Sequence, residues 1–128
     1  MHIISKTTVK QAMVKHPQWK PGLSLWLKVI GSGALQFQSY AQLKQVWKAA
    51  SGWNVDRIPG PTIREGFGGK QESRAVYSDV YVFDIHGSEC RIVCRFVAPN
   101  KLYIRLIGPH SVYDKWWNDH TGYKRKSK

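Results

Sequence analysis

Val82-Phe83-Asp84-Ile85-His86-Gly87-Ser88-Glu89-Cys90-Arg91-Ile92-Val93-Cys94-Arg95-Phe96-Val97 reads as two apolar, β-branched runs about a short polar turn. A third run follows the break at Pro99-Asn100, so residues 80–85, 89–98 and 101–108 predict an antiparallel meander. Proline cannot take the positive φ of a two-residue type I′ turn, which favours a connection one residue longer. In that register Arg95 opposes Arg105. Ile92, Cys94 and Phe96 then share an apolar face with Leu102, Ile104 and Leu106. The other face carries Arg91, Arg95, Tyr103 and Arg105. Three arginines on one small face repel one another, so this is either a solvated outer face or a face built to hold an anion.

The meander runs out through Gly108-Pro109 into His110-Ser111-Val112-Tyr113-Asp114. A strand end followed by a turn delivers several polar side chains to one sheet edge, where small enzymes tend to place their chemistry. Residues 111–117 predict a short helix docked by Trp116 and Trp117, ahead of a basic tail at 118–128.

Upstream of the meander the periodicity changes. Residues 2–5 are short and β-branched and predict a first strand. Val9, Ala12 and Met13 mark a helix that ends before Pro17. Leu23, Trp26, Leu27 and Ile30 mark a second, stopped by Gly31-Ser32-Gly33. A third opens with the capping pattern Ser39-x-x-Gln42, carries Leu43, Val46, Trp47 and Ala50, and closes at Ser51-Gly52. Trp26 and Trp47 fit core positions; stacking on bases is the alternative. Between 52 and 78, Gly52, Pro59, Gly60, Pro61, Gly66, Gly68 and Gly69 break every period, which predicts a long exposed connection. The pattern is α+β: N-terminal helices packed on a small antiparallel sheet, in one domain over residues 1–128.

Charge narrows the partner. Twenty Lys and Arg face eight Asp and Glu, for a net charge of +12 in 128 residues. Residues 1–55 hold seven lysines and no acid. Such a chain attracts polyanions, nucleic acid first among them and an acidic protein second. No stretch is apolar and long enough to span a membrane, and the N-terminus lacks a signal-peptide pattern, so a cytoplasmic location is expected. Cys90 and Cys94 lie on one strand about 13 Å apart, too far for a mutual disulfide, and predict two buried thiols. A metal pair with His86 lacks the four compatible ligands zinc requires. No metal and no cofactor are expected.

Three pieces of the chain, in order, resemble the HigB-type toxins of bacterial toxin–antitoxin pairs, within the RelE-like superfamily. They are Met1-His2-Ile3-Ile4-Ser5, Val82–Val93 and Tyr103–Lys115. The family shows Val-Phe-Asn-Ile with a Gly-Asn turn where this chain has Val82-Phe83-Asp84-Ile85-His86-Gly87. It shows Thr-His-x-x-Tyr-Asp where this chain has Pro109-His110-Ser111-Val112-Tyr113-Asp114. Asp84 and Pro109 are therefore departures, as is the length of 52–78. The resemblance implies a RelE-like fold and an mRNA interferase, an endoribonuclease that cuts messenger RNA, often on the ribosome. Its cognate partner would be a HigA-like helix-turn-helix antitoxin.

The residues suit that chemistry. RNA carries its own nucleophile, the 2′-hydroxyl. His110 titrates near neutral pH and suits either proton-transfer role, or alternatively caps the last helix. Tyr113 is placed to donate a proton or stack on a base, or else packs as a core aromatic. Arg91 and Arg105 would hold the phosphate and stabilise its developing charge. Arg95, Lys101 and Lys115 would position the RNA backbone. Asp114 is expected only to favour a helix N-terminus or pair with an arginine. A non-catalytic RNA-, ribosome- or protein-binding module is the competing reading.

Overall fold

The meander forms, and both of its faces are covered. A computed structural model describes residues 1–59, 79–97 and 99–121, with side chains as far as 118. In chain order its elements are β1 (His2–Ile4), α1 (Lys6–Lys15), a 3₁₀ turn (Pro17–Trp19), α2 (Lys20–Val29), α3 (Tyr40–Ser51), β2 (Val55–Ile58), β3 (Val80–Ile85), β4 (Cys90–Val97), β5 (Lys101–Gly108) and α4 (His110–Thr121). The strands make one sheet in the order β1-β5-β4-β3-β2. Strands β2 to β5 pair antiparallel, but β1 runs parallel to β5. The sheet is thus mixed, where an antiparallel one was expected.

Helices form where the apolar stripes fall. Ser39 Oγ accepts the Gln42 amide at 3.1 Å and starts α3. Gly52 ends it at φ 79°, donating its amide to the Lys48 carbonyl. Trp26 and Trp47 are fully buried with Val9, Leu23, Ile30 and Leu43 against Tyr81, Phe83, Ile85, Ile92, Cys94 and Leu102. That burial removes both tryptophans from any base-stacking role. The opposite face holds a smaller cluster of Ile58, Val80, Val82, Val93, Tyr113 and Trp116, with Leu106 packed on it. Helices α1 to α3 therefore cover one side of the sheet, and α4 covers the other. Cover on both faces explains why β3 and β4 read as near-continuous apolar runs. Cys90 and Cys94 are free and buried, and burial pushes both thiols up, Cys90 to about 12.

Three sequence expectations are corrected. Val55–Ile58 is a strand inside the segment read as an exposed connection; residues 60–78, the rest of it, lie outside the described residues. Helix α4 continues past Trp117 to Thr121, into the expected tail; residues 122–128 of that tail are not described. The β4–β5 register also differs. Cys94 pairs with Ile104 and Val93 with Leu106, which leaves Arg105 as the extra residue of a β-bulge. Arg95 consequently faces Tyr103 rather than Arg105, and Leu106 joins Val93 on the α4 side. The turn before β5 is fixed by Asn100. Its Oδ1 accepts the Phe37 amide at 2.7 Å, and its backbone carbonyl accepts the His2 amide at 2.9 Å.

Candidate functional site

One end of the sheet gathers the titratable groups on the side covered by α4. Arg91 is the second residue of strand β4 there. Its antiparallel neighbour is Asp84 on β3, and on its other side lies Gly108 at the end of β5. The chain then turns sharply: a Cβ at Gly108 would stand 3.3 Å from Val112. Pro109 accepts the Val112 and Tyr113 amides on its carbonyl, so the first turn of α4 is closed by backbone where the family's threonine stood. His110 is the first residue of that helix.

Two pairs make the site. The His110 Nε2 lies 3.0 Å from Asp114 Oδ2, one turn further along α4. The imidazole is 31% exposed, while the carboxylate is 4% exposed. This contact engages Nε2, while Nδ1 is buried and has no hydrogen-bond partner among the described residues. Arg91 Nε lies 3.7 Å from Asp84 Oδ1, and its guanidinium carbon sits 4.9 Å over the centroid of the Tyr113 ring. Burial raises the Asp84 carboxyl to about 6. Arg91 and His110 pull it back, and Asp56 pushes it further up.

The other candidates separate by position. Arg105 is half-buried at the bulge, three residues before Gly108, the end of β5 that neighbours Arg91. Tyr113 is buried and stacked on Trp116, with its ring serving as a floor for Arg91. Lys115 is exposed on α4. Lys101 is exposed at the opposite end of β5, about 23 Å of strand from Gly108, and is not brought to this site. Arg95 is 1% exposed, so the phosphate contact expected of it is replaced by a core position. His86 accepts the Gly22 amide on Nε2 at 3.2 Å and lies beside Trp53. Among the described residues no group of three His, Cys, Asp or Glu side chains is placed to hold a metal ion, and no helix is long and apolar enough to cross a membrane.

Two residues of the cluster were undervalued in the sequence. Asp114 was legible from its spacing, since i and i+4 side chains meet on a helix. Asp84 was not, because its pairing with Arg91 depends on strand register.

These elements define a small, basic α+β domain with an Arg–His–Asp cluster at one sheet end. Residues 70–116 match the HigB_toxin family model, described as the RelE-like toxic component of a toxin–antitoxin system. The match spans 47 of the 128 residues, so it is a likeness of this part of the chain to that family. It takes in β3, β4, β5 and the start of α4, and with them every candidate residue of the site. Residues 1–69 fall outside it, including the opening Met1–Ser5 of the resemblance. No curated protein matches the chain.

Proposed function

We propose that the protein is an mRNA interferase that blocks translation by cutting RNA at the Arg91–His110 end of the sheet, on a fold of RelE type. The observation that carries the reading is the His110–Asp114 pair, with His110 two residues beyond the strand end that neighbours Arg91. RNA supplies the nucleophile. The 2′-oxygen bonds to phosphorus as its proton passes to a base. The phosphorus–5′-oxygen bond then breaks, and the departing oxygen takes a proton, leaving a 2′,3′-cyclic phosphate. His110 is the group suited to move the proton, with Asp114 fixing which ring nitrogen is engaged. Arg91 and Arg105 stabilise charge on the phosphate, and exposed Lys115 contacts the RNA backbone. Tyr113 supports Arg91 from below rather than meeting the RNA. The transcript is cut during translation on the ribosome, in the cytoplasm, and a HigA-like helix-turn-helix antitoxin restrains the toxin.

The test is controlled expression of wild type and His110→Ala in a bacterial host, with primer extension on a reporter transcript. Growth arrest with discrete cuts inside translated codons, lost in an equally abundant and folded variant, is the expected result. Arrest without new cuts would overturn the nuclease reading in favour of a binding module.

A further inference from the structure

Asp84 is the cluster member that the proposed chemistry leaves without a task. It lies directly opposite Arg91 across β3 and β4. The two side chains are 20% and 11% exposed, and their charged atoms are 3.7 Å apart. Arg91 faces Asp84 from β4, His110 faces it from α4, and Asp56 acts on it from β2. From the fourth side Trp47 of α3 donates its indole N–H to the Asp84 backbone carbonyl at 3.1 Å, which ties down this part of the strand. A guanidinium held between a carboxylate and an aromatic face is ordered before any ligand arrives. Part of its charge is also already answered.

We propose that Asp84 is a resident competitor for Arg91: its carboxylate holds the guanidinium over Tyr113 in the free protein, and an RNA phosphodiester must displace it to bind. This rests on the reading of Arg91 as the phosphate-holding group. The competition has a sign in pH. An ionised Asp84 opposes the incoming phosphate by like charge and by occupying its partner, whereas a protonated Asp84 does neither. Because burial places this acid near 6, the competitor is fully present at pH 7.5 and fades below pH 6. Asparagine at the position keeps the shape and removes the charge. Asp84 is thus a positioning residue that sets affinity, and it touches no reacting atom.

The experiment measures binding of a 2′-O-methyl oligouridine, which cannot be cut and keeps constant charge between pH 5.0 and 7.5. The proteins compared are wild type, Asp84→Asn, Arg91→Ala and the double variant. Asp84→Asn is expected to bind roughly five- to tenfold tighter than wild type at pH 7.5. The ratio should fall below about twofold at pH 5.0, any contribution from His110 cancelling because both proteins carry it. In the Arg91→Ala background only the like-charge part remains, so the Asp84 substitution should gain less than about twofold, a coupling that a merely structural role would not produce. A second readout leaves Asp84 in place: in His110→Ala, affinity should still rise as pH falls through about 6. Equal affinities for wild type and Asp84→Asn at pH 7.5, or a gain that survives Arg91→Ala at full size, or a flat profile in His110→Ala, would each overturn the competitor while leaving the nuclease reading intact. Failure of every protein to bind the oligonucleotide at both pH values would overturn the RNA reading, and the competitor with it.

Discussion

His110 and Asp114 face each other across a single turn of α4, with Nε2 and Oδ2 3.0 Å apart. The arrangement divides the labour between a partly exposed imidazole and a buried carboxylate. His110→Ala removes the proton-transfer group and should lower RNA cleavage by roughly 10²- to 10⁴-fold. Asp114→Asn keeps the volume and loses only the charge that orients the ring, so its loss should be smaller, roughly ten- to hundredfold. Cleavage of a message under translation, with each purified protein added to a bacterial translation reaction, checks the order. Asp114→Asn as active as wild type would reduce Asp114 to a helix-packing residue.

Asp84 also bears on stability, and the sign follows from its environment. Its folded carboxyl titrates at about 6, above the ordinary 3.8, because burial outweighs the attraction of Arg91. The folded state therefore binds the proton more tightly than the unfolded chain does. The stabilisation from that proton is fully present below about pH 4 and is lost as pH rises through 6. Asp84→Asn should raise the unfolding free energy by about 3 kcal/mol at pH 7.5 and by less than about 1 kcal/mol at pH 4. Urea denaturation at the two pH values measures both numbers. A variant destabilised at pH 7.5 would mean that the ion pair with Arg91 outweighs the burial of the acid.

Helix α2 borrows its N-terminal acceptor from the far side of the sequence. Gly22 donates its amide to His86 Nε2 at 3.2 Å, and His86 sits at φ 52° in the turn between β3 and β4. A Cβ at Gly22 would stand 2.6 Å from Ile85 Cγ2 and 2.8 Å from His86 Nε2. Gly22→Ala should therefore cost about 1–3 kcal/mol through overpacking, despite alanine's better helix propensity. His86→Ala should cost about 1 kcal/mol, the usual worth of an N-terminal cap. Shifts in the urea midpoint at constant slope test both. Stabilisation by Gly22→Ala would show that α2 can move away from the turn without loss.

The strengths and failures of the sequence reading have physical causes. Strands β3 to β5 announce themselves because both faces of the sheet are covered, so apolar residues run continuously between Gly, Pro and Asn breaks. Helices α1 to α3 show one-sided stripes because each packs on a sheet. Strand β2 is hidden because Val55 points to the large cluster and Ile58 to the small one, with exposed Asp56 and Arg57 between them. Four residues in that order show no period of two. The parallel pairing of β1 with β5 has no local signal, since it depends on the chain's path through three helices. The bulge at Arg105 is one extra residue, invisible in composition, yet it moves Leu106 to the other face. Of the site, Arg91, His110 and Tyr113 stand in legible motifs. The burial of Arg95 and the pairing of Asp84 with Arg91 require the register.

Arg91 offers a last separation of charge from shape. Its guanidinium carbon sits over the Tyr113 ring, 4.9 Å from the centroid. Lysine keeps the positive charge, but it has neither the planar fork that pairs two phosphate oxygens nor the flat face that rests on the ring. If Arg91 serves only as charge, Arg91→Lys should retain most of the cleavage rate. If it holds the phosphate in a fixed orientation over Tyr113, the same substitution should lower the rate at least tenfold, with a stability change below about 1 kcal/mol. The second outcome is expected here. The cleavage rate and the urea midpoint of the one variant, measured side by side, distinguish the two. Tyr113→Phe gives the matching control. It keeps the ring under Arg91 and removes only the hydroxyl, so it should cleave at close to the wild-type rate, whereas a proton-donating tyrosine would make it as slow as His110→Ala.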